Sequence, residues 1–179
     1  MRYAPFPIEL HKKQTGFTLV EVLVAMTVLA IGLLALAGVQ ANGLRSTHTA
    51  YERSQASIAA MDIADRMRAN KAGVDANAYA AIASPPVAPV PASCVGTGVN
   101  CTPTQIAAVD AYEWLISLAT DRDLLNPDGA VTCLAAPCVP GSMYQITIRW
   151  DGRRNGAVGQ NCNPFNLGDK ICYQVVVQP

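Results

Sequence analysis

Residues 16–39, GFTLVEVLVAMTVLAIGLLALAGV, decide how the rest of the chain is read. From Phe17 to Val39 the run is 23 residues long and apolar apart from Thr18, Thr27 and one charge, Glu21. As a helix it would rise about 34 Å, enough to cross a hydrocarbon core of about 30 Å. The residues before it, MRYAPFPIELHKKQTG, carry Arg2, Lys12 and Lys13 against Glu9, a net charge of about +2. Positive residues before an apolar span stay on the cytoplasmic side, so the chain after Val39 is expected outside. Glu21 needs its own explanation, because an acidic side chain at the bilayer centre costs about 2.5–3.5 kcal/mol. It lies four residues from Phe17, about 6 Å along a helix axis. There it can reach the headgroup region, in the first turns where the helix dipole favours negative charge.

Two accounts of the segment compete. Ala35-Leu36-Ala37 followed by Gly38 is the small-residue pattern of a secretory cleavage site. Against a signal peptide, the run up to Leu34 is 18 residues and contains a glutamate, whereas such apolar regions are about 7–15 residues long.

The second account rests on a resemblance. Gly16-Phe17-Thr18-Leu19-Val20-Glu21, with basic residues before and an apolar run after, resembles the type IV prepilin signal shared by pilins and type II secretion pseudopilins. The resemblance implies cleavage by a prepilin peptidase between Gly16 and Phe17, with N-methylation of Phe17. It also makes Glu21 the fifth mature residue, paired with the freed Phe17 amine of a neighbouring subunit. The expected division is a leader over 1–16, a transmembrane and assembly helix over 17–39, and an exported head over 40–179.

Composition agrees with export. The six cysteines all lie beyond residue 93 in close pairs, which points to disulfides in an oxidising compartment. Six cysteines allow fifteen connectivities. Spacing favours neighbours: Cys94 with Cys101, Cys133 with Cys138, Cys162 with Cys172. A net charge of zero offers no electrostatic footprint for nucleic acid.

No proline occurs between Pro7 and Pro85, and helix formers continue past Val39, so one helix is expected from about Phe17 to Asn70. Leu44, Tyr51 and Ile58 recur at steps of seven and make one stripe; Ile63 and Met67 make another. Asp62 with Arg66 and Asp65 with Arg68 are at pairing distance on a helix surface. Residues 84–103 hold most of the proline and read as an irregular connection. Residues 105–120 read as a second helix. Its stripe is Val109, Tyr112, Ile116 and Ala119, with Asp110, Glu113 and Ser117 opposite and Trp114 and Leu118 flanking as core. MYQITIRW (143–150) alternates as a half-buried strand does, and ICYQVVVQ (171–178) forms another, paired antiparallel to it. The fold class is therefore α+β, pilin-like. It combines a long N-terminal helix (a transmembrane half and a head-packed half) with a small antiparallel sheet, a second short helix and disulfide-stapled loops.

Few constellations suggest chemistry. Only Cys133–Cys138 comes near a zinc spacing, and His11 and His48 lie far from it. Asp121, Asp123, Asn126 and Asp128 could offer oxygen ligands to calcium, but their spacing does not match an EF-hand, and the plainer reading is a polar turn region. Arg149, Arg153 and Arg154 could form an adhesive patch or simply be solvated. No nucleophile elbow, phosphate loop or zinc-protease motif is present. No catalytic residue, metal or cofactor is expected.

The segment Asp62-Ile63-Ala64-Asp65-Arg66-Met67-Arg68-Ala69-Asn70 resembles the same region of PilV-type minor pilins, the type IV pilus modification proteins. The order that follows, a short helix with a tryptophan, a strand like ITIRW and a C-terminal strand, is similar too. The resemblance implies a non-enzymatic subunit that primes or modifies pilus assembly and supports adhesion and twitching motility. Its partners would be other minor pilins, the major pilin, the prepilin peptidase, the inner-membrane assembly platform and the lipid bilayer. It would sit in the bacterial inner membrane as a single-pass protein, leader cytoplasmic and head periplasmic, and then in the fibre, near the tip. Two alternatives stay open: a type II secretion minor pseudopilin, and a membrane-anchored periplasmic enzyme or adhesin.

Overall fold

The computed structural model describes residues 16–85, 94, 100–135 and 137–179. The leader up to residue 15, and most of the proline-rich connection, lie outside the described residues. Two units are distinguished, Met1–Arg45 and Ser46–Pro179.

Helix α1 spans Leu19–Ala69. Its long proline-free, alanine- and leucine-rich sequence carries no strong breaker, and its three glycines cost about 1 kcal/mol each relative to alanine. In the first unit, Phe17 and the apolar side chains through Leu36 and Val39 are exposed. Among the described residues, α1 is the one helix long and apolar enough to cross a membrane.

In the second unit the part of α1 after residue 46 packs through one narrow stripe: Glu52, Ala56, Ala59, Ala60, Ile63, Ala64 and Met67. The alanines let neighbouring elements come close. The stripe at Leu44, Tyr51 and Ile58 is left exposed, so only the Ile63–Met67 side belongs to the head core. After α1 come α2 (Lys71–Asp75), β1 (Ala81–Ala83), α3 (Pro103–Thr120), β2 (Asp128–Cys133), β3 (Tyr144–Trp150) and β4 (Ile171–Val177). The four strands form one antiparallel sheet in the order β1-β2-β3-β4. The register aligns Ile82, Val131, Ile146 and Val175 in one row across it. Tyr144, Ile148 and Trp150 complete the buried face of β3. This face, the α1 stripe and α3 make the core.

Three expectations need correction. The buried face of α3 is Ala107, Trp114, Leu115 and Leu118, whereas Ile116 and Ala119 are exposed. The reason is Gly129 on β2. A Cβ there would stand 2.6 Å from the Trp114 ring, so the missing side chain makes room for the indole between α3 and the sheet. The indole N–H then donates to the Ala59 carbonyl of α1 at 2.8 Å. That one side chain sets the rotation of α3. The sheet also has two strands that the pattern did not show, β1 and β2. Finally, Asp128 does not belong to a polar loop: it opens β2 and is 5% exposed.

The structure contains the disulfides Cys94–Cys101, Cys133–Cys138 and Cys162–Cys172, with Cα separations of 5.8, 6.1 and 5.5 Å. Non-reducing peptide mapping of exported protein is expected to recover these three pairs and no alkylatable thiol. A peptide joining Cys101 to Cys133 would overturn the pairing.

Candidate functional site

The N-terminal end of α1 is built from very few residues. Gly16, Phe17 and Thr18 are not helical, and the first helical residue is Leu19. Thr18 closes the end: its Oγ1 accepts from the Glu21 N–H at 3.3 Å, and its carbonyl accepts from the N–H groups of Glu21 and Val22. Thr18 was missed as a functional residue, although Thr-x-x-Glu before an apolar run is the sequence signature of a helix cap. The consequence is geometric. The Gly16–Phe17 bond lies in exposed, non-helical chain just outside a capped helix, and Glu21 is held in the first turn. Phe17 is 81% exposed.

The head is closed by a polar hub at the end of α1. Asn70 is 8% exposed. Its side chain accepts from the Gly73 N–H at 3.2 Å and donates to the Tyr79 hydroxyl at 3.1 Å and the Pro103 carbonyl at 2.7 Å. Tyr79 in turn donates to Asp110 of α3. Burial, and then the hydrogen bond to Asp110, push the Tyr79 phenol above its ordinary range. Arg66 pairs with Asp62 at 3.1 Å and also reaches Asp110 and Glu113 on α3. Arg68 and Asp65 pair at 2.7 Å in solvent. The segment Asp62–Asn70 thus works as the clamp between α1, α2 and α3.

The three arginines weighed as a patch do not form one. Arg149 pairs with Asp128. Arg153 donates to the carbonyls of Pro164, Asn166 and Asp169. Arg154 meets His48 Nε2 at 2.8 Å. The polar residues of 121–128 also turn to separate partners: Asp123 accepts from Tyr51 at 2.9 Å, and Asn126 donates to the Ala157 carbonyl at 3.4 Å. Among the described residues no three His, Cys, Asp or Glu side chains gather as a metal site. Sequence reading also missed Glu52, a buried carboxylate that accepts from the Trp150 indole at 3.0 Å and meets His48 Nδ1 at 3.1 Å. The available signal was the four-residue spacing of His48 and Glu52.

Two family models match adjoining parts of the chain, together residues 11–112. The prokaryotic N-terminal methylation motif covers residues 11–37, and type IV pilin Tt1218 covers residues 38–112. The chain belongs to the type IV pilin superfamily. The boundary between the matches falls inside α1, so the pilin region begins on the same helix that carries the methylation motif. No curated protein and no solved structure matches this pilin at a significant level. The fold agrees with the family: a long apolar N-terminal helix, a four-stranded antiparallel sheet, short helices and disulfides in the loops.

Proposed function

We propose that this pilin is a minor pilin, a non-enzymatic subunit that primes or modifies type IV pilus assembly and so supports adhesion and twitching motility. One observation carries the reading. A capped helix presents Phe17, Glu21 and an unbroken exposed apolar surface, and it continues into a separately folded, disulfide-bonded head. Such a helix is stable in two settings, a bilayer and a bundle of identical or similar helices, as a subunit moving from membrane to fibre requires. The PilV-type reading draws on the resemblance of Asp62–Asn70, here the clamp of the head.

In this reading a prepilin peptidase removes residues 1–16 on the cytoplasmic face, Phe17 is methylated, residues 17–39 span the inner membrane and the head is periplasmic. The exposed linkage before Leu19 suits cleavage without unwinding the helix. Mass spectrometry of the mature N-terminus is expected to give a methylated Phe17. A start at Gly38 would establish a signal peptide instead.

The function itself is tested by deletion. Fewer sheared pili are expected at an unchanged membrane level of the major pilin, with partial recovery of fibres when retraction is blocked. Normal pili with failed secretion of a folded periplasmic protein would identify a pseudopilin. If neither changes, the assembly role is wrong.

A further inference from the structure

At the start of β2, Asp128 serves two cations at once. Arg149 donates to its Oδ1, and Lys170 donates to its Oδ2 at 2.8 Å. All three side chains are largely out of solvent, at 7%, 16% and 6% exposure for Asp128, Arg149 and Lys170. One carboxylate therefore stands against two buried positive charges, and Arg149 Nε has no hydrogen-bond partner. Buried charge is costly unless it is paired.

Lys170 lines two clefts, one of them together with Asp128. The other, of about 230 Å³, it shares with Arg53 of α1, Arg153 and the Cys162–Cys172 disulfide. No carboxylate lines this cleft. The nearby acids face other donors: Glu52 takes Trp150 and His48, Asp151 takes the N–H groups of Asn155 and Gly156, and Asp169 takes the N–H of Asn163. The walls are fixed in advance. Arg153 is held by three backbone carbonyls, and the disulfide ties the loop to β4. The Arg53 side chain is exposed and makes no hydrogen bond or ion pair among the described residues.

We propose that this cleft binds one oxyanion, a carboxylate or phosphate group, between Arg53, Arg153 and Lys170. Charge-assisted hydrogen bonds from a planar guanidinium suit such a group. The oxyanion is either a free anion or the carboxylate of an Asp or Glu on a neighbouring pilin head. The inference rests on the head alone and stands whether or not the assembly role holds.

The probe is inorganic phosphate, added to the full-length chain in detergent micelles and compared with chloride at equal ionic strength. Binding is read from chemical-shift changes and from the midpoint of thermal unfolding. Phosphate is expected to bind and to raise the midpoint, and Arg53→Gln is expected to weaken binding about tenfold, since it removes a charge-assisted pair. The Arg53 side chain is exposed, so this variant is expected to keep the head intact, checked by its unchanged unfolding midpoint without phosphate. In cells, a photo-crosslinking amino acid at position 53 separates the sources. Crosslinks to an acidic segment of another pilin assign the site to a subunit carboxylate; phosphate binding without such crosslinks assigns it to a free anion. Binding equal in the Arg53→Gln variant would mean an adventitious ion only. That result, or neither phosphate binding nor crosslinking, overturns the proposal.

Discussion

Asp128→Ala is expected to destabilise the head by about 3–5 kcal/mol, the usual cost of removing one partner from a buried ion pair. Asp128 is 5% exposed and holds both Arg149 and Lys170, so its loss leaves two cations in low dielectric without their shared carboxylate. The position also joins β2 to β3, because Asp128 lies directly across from Arg149 in the register. Lys170 leads into β4, so the same carboxylate ties three strands. Asp128→Asn keeps the shape and is still expected to be strongly destabilising, because the missing element is charge. Asp65→Ala is the control. Its pair with Arg68 is solvent-exposed, and such pairs contribute about 0–1 kcal/mol. Urea unfolding of the full-length chain in micelles, followed by fluorescence of the buried Trp114 and Trp150, reads both. A shift below about 1 kcal/mol for Asp128→Ala would show that the two cations find other partners.

That pair also marks where sequence reading stops. Helix α1 was legible because no proline interrupts the chain between Pro7 and Pro85 and helix formers continue past Val39, and β3 because YQITIRW alternates. Strand β1 has only three residues beside a proline-rich stretch, and β2 begins with Asp-Gly, which reads as a turn. Neither carries enough period to be seen. The face of α3 was misread because its rotation is set by Gly129, distant in sequence, and not by its own pattern. Arg149 was weighed only as part of a surface patch or as a solvated side chain; the strand period puts it on the face of β3 opposite Ile146, Ile148 and Trp150. What the period could not show is that the chain beyond β3 returns over this face. Cys162 lies within 3.9 Å of Gln174, and Thr147 is 5% exposed. An arginine expected in solvent is thereby enclosed. The N-terminal motif could be read as a unit for the opposite reason: Gly16, Phe17 and Glu21 fall within six residues, so no tertiary contact is needed to bring them together, although the capping role of Thr18 between them was missed.

Glu21→Val is expected to leave this pilin in the membrane and keep it out of fibres. Insertion should be unchanged or improved, because the substitution removes the one charged side chain of the apolar run. Assembly is a separate matter. In a bundle of such helices the carboxylate enters apolar surroundings, where it needs a positive partner, and the proposed partner is the freed Phe17 amine of a neighbour. The exposed, non-helical segment before Leu19 carries that amine, and Glu21 stands in the first turn of the helix, about 6 Å further along the axis. Truncating one member of a buried charge pair costs about 2–5 kcal/mol, so recovery of the subunit in sheared fibres should fall by more than about tenfold. Glu21→Gln keeps the size and the hydrogen bonding and separates charge from shape: if charge is what matters, it fails nearly as badly as valine. A second change tests the partner. Gly16→Ala is expected to slow cleavage and so withhold the amine. If carboxylate and amine act as one pair, Gly16→Ala combined with Glu21→Val is no worse than the more severe of the two alone. Blots of this subunit in membranes and in sheared fibres measure all four strains. Fully additive losses would mean that Glu21 has some other partner, and normal fibre recovery of the Glu21→Val subunit would remove the pairing altogether.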